Sequence, residues 1–142
     1  MSDDFFNVSG GVLFSYAAVG SFFAGIRLLT SRTFLAFHQQ AVGVPWGEIP
    51  ERIRLLILAL MRVAGIGAVL TGALCVLDCL PSFFGINRQL AVGVGVGIVI
   101  YWYMIHSITL YVHRRTNADT PFRASFSVFA ASLIGTVIRA FV

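Results

Sequence analysis

Residues 55–77 read LLILALMRVAGIGAVLTGALCVL, and this stretch decides the fold class. It carries a single charge, Arg62, and about 20 mostly apolar residues in an α-helix cross the hydrocarbon core of a bilayer. The whole chain has the same character, because 58% of its 142 residues are hydrophobic and only 11% are charged. Soluble domains carry roughly 25% charged residues. The sequence therefore predicts an integral membrane protein.

Three further apolar segments of similar length lie on either side of this stretch. We predict an all-α, integral membrane four-helix bundle that forms a single transmembrane domain over residues 1–142. The first span is expected to be retained, because the acidic Asp3 and Asp4 precede it where a signal peptide carries basic residues. The predicted spans are residues 5–29, 54–80, 89–113 and 123–142.

The placement of arginine predicts the orientation of the chain. Two arginines, Arg88 and Arg139, lie toward one side, and seven flank the first and third loops. Because arginine-rich loops stay in the cytoplasm, we predict that loops 1 and 3 are cytoplasmic and that both termini are outside. The net charge of +4 is too small and too dispersed to indicate a nucleic-acid partner. The seven arginines are Arg27, Arg32, Arg52, Arg54, Arg114, Arg115 and Arg123.

The connections between the spans differ in character. Residues 81–87, PSFFGIN, predict a tight turn that makes the second and third spans an antiparallel hairpin. The longer first loop predicts a short interfacial helix over residues 33–42, with Ser31 as its cap. Pro50 and Glu51 are typical of the first turn of the second span, where proline and an acidic residue are favoured.

Small residues at four-residue spacing predict where the helices meet, since lipid gives no hydrophobic drive for helix association. Each span has such a track, and replacing Gly93 or Gly97 by leucine is expected to destabilise the bundle. One track is also free to face a partner in an oligomer. The tracks are Ala17, Ser21 and Gly25; Ala64, Ala68 and Gly72; Gly93 and Gly97; and Ser127, Ala131 and Gly135.

A ligand site is predicted in the cytoplasmic half of the second and third spans. Arg62 and His106 each lie 22 residues from Phe84, the centre of the predicted turn, and should therefore have the same depth. Tyr103 is one helical turn from His106 on the same face. Intramembrane ionisable residues are costly and often functional. We expect the Arg62 guanidinium to contact an anionic or carbonyl-bearing ligand, beneath a loop that carries His38, Trp46 and Glu48.

A structural explanation stays open for the same residues. Arg side chains point toward the N-terminus of their helix, so Arg62 can reach toward phosphate groups or Glu51 at the cytoplasmic boundary. His106 can be a neutral side chain bonded to a carbonyl or hydroxyl group. The sequence leaves both interpretations of the two residues in place.

Other chemistries are less well supported, and we predict no catalytic residue, no metal and no cofactor. Haem held by His38, His106 or His113 is not favoured, because two of these histidines share a helix and the third lies in a loop. Cys75 and Cys79 lack the two-residue gap of a redox-active pair. No carboxylate cluster indicates zinc.

One part of the chain carries a family resemblance. Phe37 and His38, Gly43, Trp46 and residues 58–65 (LALMRVAG) resemble a set of small, functionally unassigned bacterial membrane proteins. Their layout is similar to the DoxX-like superfamily, including an Arg followed three residues later by Gly. The resemblance covers residues 34–72 and implies a four-helix bundle in a bacterial inner membrane, without implying an activity.

The function that we favour from the sequence is non-catalytic. The chain is expected to bind a lipid or a small anionic or carbonyl-bearing ligand, or to serve as an accessory subunit of a larger membrane complex or homo-oligomer. A small transporter or channel is the alternative, and a membrane redox protein using haem or quinone is the third.

Overall fold

Four long α-helices, one short α-helix and one 3-10 helix (Trp46–Glu48) occur in the computed structural model. The structure describes residues 2–79 and 87–141 and, within the first helix, the side chains from Val8 onward. No strand occurs within these ranges. The four long helices are long and apolar enough to cross a membrane, which indicates a multi-pass membrane protein. The helices are α1 (Ser2–Thr30), α2 (Ala36–Val42), α3 (Glu51–Cys79), α4 (Arg88–Thr116) and α5 (Phe122–Phe141).

Local sequence signals explain several of the helix ends. The Asn87 side chain accepts a hydrogen bond from the Leu90 amide at 2.9 Å and caps α4. Asn117 follows α4 with a φ of 55°, the left-handed conformation that asparagine tolerates at a helix end. Glu51 begins α3 directly after Pro50, as predicted. Apart from Asn87, the predicted turn over residues 81–87 lies outside the described residues.

The short helix of the first loop starts later than predicted. It begins at Ala36 rather than at residue 33, and Leu35 occupies its N-cap without a side-chain hydrogen bond. The prediction of Ser31 as the cap is wrong, because its hydroxyl donates to the Arg27 carbonyl and so belongs to the end of α1. Gly43, with a φ of 76°, ends the helix in a conformation that favours glycine.

Helix α1 is the central element of the packing. It packs most extensively against α3 and also against α5, and α5 in turn packs against α4. Phe14 of α1 is fully buried, and its ring lies within 3.5 Å of where a Cβ would stand on Gly95 of α4 or Gly135 of α5. The buried Trp102 of α4 donates its indole N–H to the Ser21 hydroxyl at 3.1 Å. The first helix of the chain therefore contacts all three of the other long helices.

The small-residue tracks of α1, α3 and α5 lie at helix contacts, as predicted. Gly25 and Gly65 mark the closest approach of α1 and α3, since a Cβ on Gly25 would stand 2.9 Å from the Gly65 carbonyl oxygen. The prediction for α4 is wrong. Gly93 and Gly97 are exposed with no atom within 4 Å of their Cβ positions, while Gly95 packs against Thr136 of α5.

Helices α3 and α4 have fewer mutual contacts than the predicted hairpin implies. Their clearest contact joins the Tyr101 ring of α4 to Gly67 of α3, and the Tyr101 hydroxyl donates to the Ala64 carbonyl at 3.4 Å. Gly67 and Tyr101 each lie 17 residues from Phe84. The two helices are thus antiparallel in the expected register, but each packs mainly on another neighbour.

Candidate functional site

Two of the predicted site residues, Arg62 and Tyr103, are exposed on the surface of the protein. The Arg62 side chain has no hydrogen bond or ion pair within residues 8–79 and 87–141. Tyr103 is 57% exposed, and its ring centroid lies 5.7 Å from that of Phe129 on α5. The guanidinium and the phenol therefore face outward from α3 and α4 rather than into an enclosed pocket.

His106 connects α4 to α5. Its Nδ1 lies 3.1 Å from the Phe122 carbonyl oxygen and 3.3 Å from the Ser125 hydroxyl. Because a carbonyl oxygen only accepts, Nδ1 carries the proton when it bonds to Phe122. The Ser125 hydroxyl also lies 3.1 Å from Thr109 Oγ1. These contacts give the half-buried histidine a structural role at the start of α5.

The predicted loop residues group around Phe34. The ring centroids of Trp46 and His38 lie 4.6 Å and 6.0 Å from that of Phe34. The His38 centroid also lies 4.1 Å from that of Phe37. His38 Nδ1 is buried without a hydrogen-bond partner in the described part of the chain. Burial lowers the pKa of His38 below its usual value of 6.5. The aromatic rings, rather than polar contacts, hold this side chain in place.

The first loop contacts the end of α4 and the connection to α5. Helix α2 packs against α4, and the Gln40 side chain accepts a hydrogen bond from the Asp119 amide at 2.8 Å. Glu48 is exposed. The structure thus places His38 and Trp46 around Phe34, whereas Arg62 is exposed on α3. The ligand site that joins them stays a prediction.

The histidines are spread over separate positions. His113 Nδ1 donates to the Ala118 carbonyl oxygen at 2.8 Å, since a carbonyl oxygen only accepts. Its ring stacks on Phe122 at 4.5 Å. Among the described residues, no three His, Cys, Asp or Glu side chains gather as ligands for a metal ion.

Sequence reasoning missed a buried polar group at the opposite end of the helices. We call it the Asp78–Arg139 cluster, and it consists of Ser15, Asp78, Cys79 and Arg139. The Asp78 side chain is 1% exposed and that of Arg139 is 9% exposed. Asp78 lies near the end of α3 and Arg139 near the end of α5. In the sequence, each is an isolated charge at the boundary of an apolar segment.

The charges in this cluster are close but poorly bonded. Arg139 Nε lies 3.8 Å from Asp78 Oδ2, while Nη2 of the same side chain donates to the Asp78 backbone carbonyl. Within the described ranges, neither Asp78 carboxylate oxygen has a hydrogen-bond partner, and nor does Arg139 Nε. The guanidinium also lies 5.9 Å from the centre of the Phe14 ring. A buried charge without hydrogen bonds is unfavourable, which makes this cluster a functional candidate.

Thiol and hydroxyl groups complete the cluster. Cys79 Sγ lies 3.3 Å from the Ser15 hydroxyl and 3.4 Å from the Gly11 carbonyl oxygen. Cys75, one turn earlier on α3, is fully buried, and both cysteines are free thiols. These groups pack α3 against the N-terminal half of α1, and no described side chain among them donates to Asp78.

Arg88 fixes the neighbouring end of α5. Its Nε donates to the Arg139 carbonyl at 3.2 Å, and its Nη2 donates to the Ala140 carbonyl. These carbonyls have no partner further along the helix, so the side chain serves as a cap. Both arginines on this side of the protein therefore bond to protein groups, unlike Arg62.

Comparison with known proteins adds no relative to this description. No family model, curated protein or solved structure matches the chain.

Proposed function

We propose that this chain is a non-catalytic, multi-pass protein of a bacterial inner membrane, in which α1, α3, α4 and α5 cross as a four-helix bundle. The large apolar side chains that remain exposed support this proposal, because lipid would cover them. They include Val19 at 70%, Leu70 at 61%, Ile100 at 55% and Val137 at 46% exposure. A layout similar to the DoxX-like superfamily, with α2 at the membrane interface, agrees with this arrangement.

The proposed orientation places loops 1 and 3 in the cytoplasm and both termini outside. Its support is the arginine bias, since seven arginines flank those loops and Arg88 and Arg139 are bonded to protein groups at the other end. A single cysteine at Thr116, in a chain whose Cys75 and Cys79 are replaced by alanine, should resist a membrane-impermeant thiol reagent in intact cells. Labelling before lysis would place loop 3 outside the cell and would contradict the proposed orientation.

Within the membrane, we propose that the protein is a subunit of a larger assembly. The observation that carries this is the exposed Gly93–Gly97 face of α4. Both glycines lie on one side of the helix, one turn apart, with no atom within 4 Å of either Cβ position. Close helix packing in membranes uses such small-residue pairs, because they let two backbones approach.

A second copy of this chain is the partner to test first. A flat glycine face is complementary to itself, and isologous pairing is the commonest symmetry of oligomers. Helix α4 presents Val96 beside this face, at 45% exposure. The two faces of a symmetric pair would therefore meet at Gly93 and Gly97.

The experiment compares two leucine variants of neighbouring exposed positions. Gly97→Leu places a side chain where the backbones would meet, while Val96→Leu adds bulk beside that face. Photo-crosslinking in native membranes and mass photometry in nanodiscs report the oligomeric state. We expect wild type and Val96→Leu to associate and Gly97→Leu to be monomeric, and at dilutions where all three are monomeric Gly97→Leu should be at least as stable as wild type. A monomeric wild type, or a Gly97→Leu variant that associates equally well, would refute the proposal.

Lipid binding is the second candidate function, supported by unpaired arginines. In the described part of the chain, none of the seven arginines of loops 1 and 3 forms an ion pair. Arg62 lies eight residues from Arg54, or about 12 Å along α3, and is also unpaired. Anionic headgroups would supply the missing charge. Native mass spectrometry after exchange into phosphatidylglycerol or phosphatidylcholine should show retention of the anionic lipid, and equal retention of both would count against this function.

A further inference from the structure

The Asp78 carboxylate is a titratable group that the proposed assembly does not use. Its two charge states both carry a cost in this position. The ionised form is buried with no hydrogen-bond donor to either oxygen in the described residues. The neutral form removes the negative charge that lies 3.8 Å from Arg139 Nε. Burial and a nearby opposite charge act in opposite directions on a carboxyl group. Ionisable groups buried at membrane depth often bind and release protons, so this position makes Asp78 a candidate for proton exchange.

Among the described residues, few other titratable groups lie near Asp78. Helix α5 contributes Arg139, and α3 itself contributes the thiols of Cys75 and Cys79. Helix α4 contributes Arg88, whose guanidinium bonds to the carbonyls of residues 139 and 140. The α1 side chains that contact the cluster, Phe14 and Ser15, do not ionise between pH 4 and 9. Within the described part of the chain, Arg139 is therefore the charge closest to the carboxyl group.

The position of the cluster gives a short route to solvent on one side. Asp78 is the penultimate residue of α3, and Arg139 lies two residues before the end of α5. Cys79, the next residue along α3, is only partly buried. A proton would therefore reach Asp78 from the end of the protein that carries Arg88, opposite the arginine-rich loops.

We propose that Asp78 is a reversible proton-binding site. The carboxylate takes up one proton from solvent at this end of the protein, forms the neutral acid, and returns the proton to the same side. No other bond has to break. The Arg139 Nη2 bond to the Asp78 backbone carbonyl and the contact of the guanidinium with the Phe14 ring do not depend on the carboxylate charge. The helix ends stay connected in both states.

Infrared spectroscopy of the full-length protein in nanodiscs tests this site directly. A protonated carboxyl group has a carbonyl stretch that the carboxylate lacks, so a pH titration between 4 and 9 reports its occupancy. The exposed Glu48, Glu51 and Asp119, together with Asp3 and Asp4, are retained in Asp78→Asn, so their bands are common to the two proteins. We expect one further carboxyl band to titrate within this range in wild type and to be missing from Asp78→Asn.

Arg139→Gln provides a second variant that keeps Asp78 in place. Without the guanidinium, the charge that favours the carboxylate is lost, and the midpoint of the band should move to higher pH by about 1–3 units. The proposal is overturned if no band beyond those of the exposed acids titrates between pH 4 and 9. It is also overturned if the titrating band survives in Asp78→Asn, or if its midpoint stays unchanged in Arg139→Gln.

Discussion

Replacing Gly25 by alanine tests the contact that holds α1 against α3. A Cβ at this position would stand 2.7 Å from Val69 Cγ2 and 2.9 Å from both the Gly65 carbonyl oxygen and the Val69 amide nitrogen. Two of these atoms belong to the backbone and cannot rotate away, so the helices must separate. Overpacking costs about 1–3 kcal/mol, and a backbone contact belongs at the upper end of that range.

The gain in helix propensity offsets part of this cost. Alanine is favoured over glycine in a helix interior by about 1 kcal/mol, so the net loss in the free energy of unfolding should be about 2 kcal/mol. Gly97→Ala is the matched control, because its Cβ meets no atom within 4 Å and only the gain of about 1 kcal/mol remains. The two variants should therefore differ by about 3 kcal/mol.

Tryptophan fluorescence during unfolding in mixed detergent micelles, at dilutions where the protein is monomeric, measures both variants. The reasoning fails if Gly25→Ala is as stable as wild type. It also fails if Gly97→Ala loses as much stability as Gly25→Ala, since the cost would then not come from the α1–α3 contact.

Three further predictions concern single side chains. A double-mutant cycle of Trp102→Phe and Ser21→Ala should give a coupling of about 0.6 kcal/mol, the average for hydrogen bonds inside membranes, and additive effects would contradict the bond. Because burial lowers the pKa of His38, the unfolded loop binds more protons, so loop stability should fall as the pH drops below 6.5 and should level off below the lowered pKa. Hydrogen exchange of α2 at pH 5.0 and pH 7.5 should show this opening in wild type but not in His38→Gln, and equal responses would contradict it. If Arg62 binds an anionic ligand, Arg62→Lys and Arg62→Leu should both lose co-purifying ligand in native mass spectra, and Arg62→Leu should be at least as stable as wild type. Unchanged occupancy in both would leave Arg62 as an interfacial anchor.

The helices could be predicted from composition, but the inward face of α4 could not. Glycines stand at positions 93, 95 and 97, and residues two apart lie about 200° apart around a helix. The sequence therefore offers two glycine faces. Ile98 and Trp102, which are 1% and 4% exposed, show that the face of Gly95 is the buried one. Which glycine face is buried depends on the space that α1 and α5 leave between them, and the sequence of α4 alone does not indicate it.

The Asp78–Arg139 cluster was missed for a similar reason. Its two charges are 61 residues apart in the chain, and each alone marks only a helix end. Their pairing follows from the central position of α1, which brings the ends of α3 and α5 together. By contrast, the equal depth of Arg62 and His106 needed only the hairpin register, but their exposure depends on how each helix is rotated, and that rotation is set by packing.

The central position of α1 also constrains how the protein is made. Phe14 packs against Gly135, and a ribosome adds about 5–20 residues per second. Roughly 6–24 s therefore pass between the synthesis of Phe14 and that of Gly135. During this interval the small-residue face of α1 that receives α5 has no helix to cover it. An insertase or chaperone that holds the first helix would protect it from wrong pairing, and synonymous codons that slow translation before residue 122 should lower the yield of folded protein.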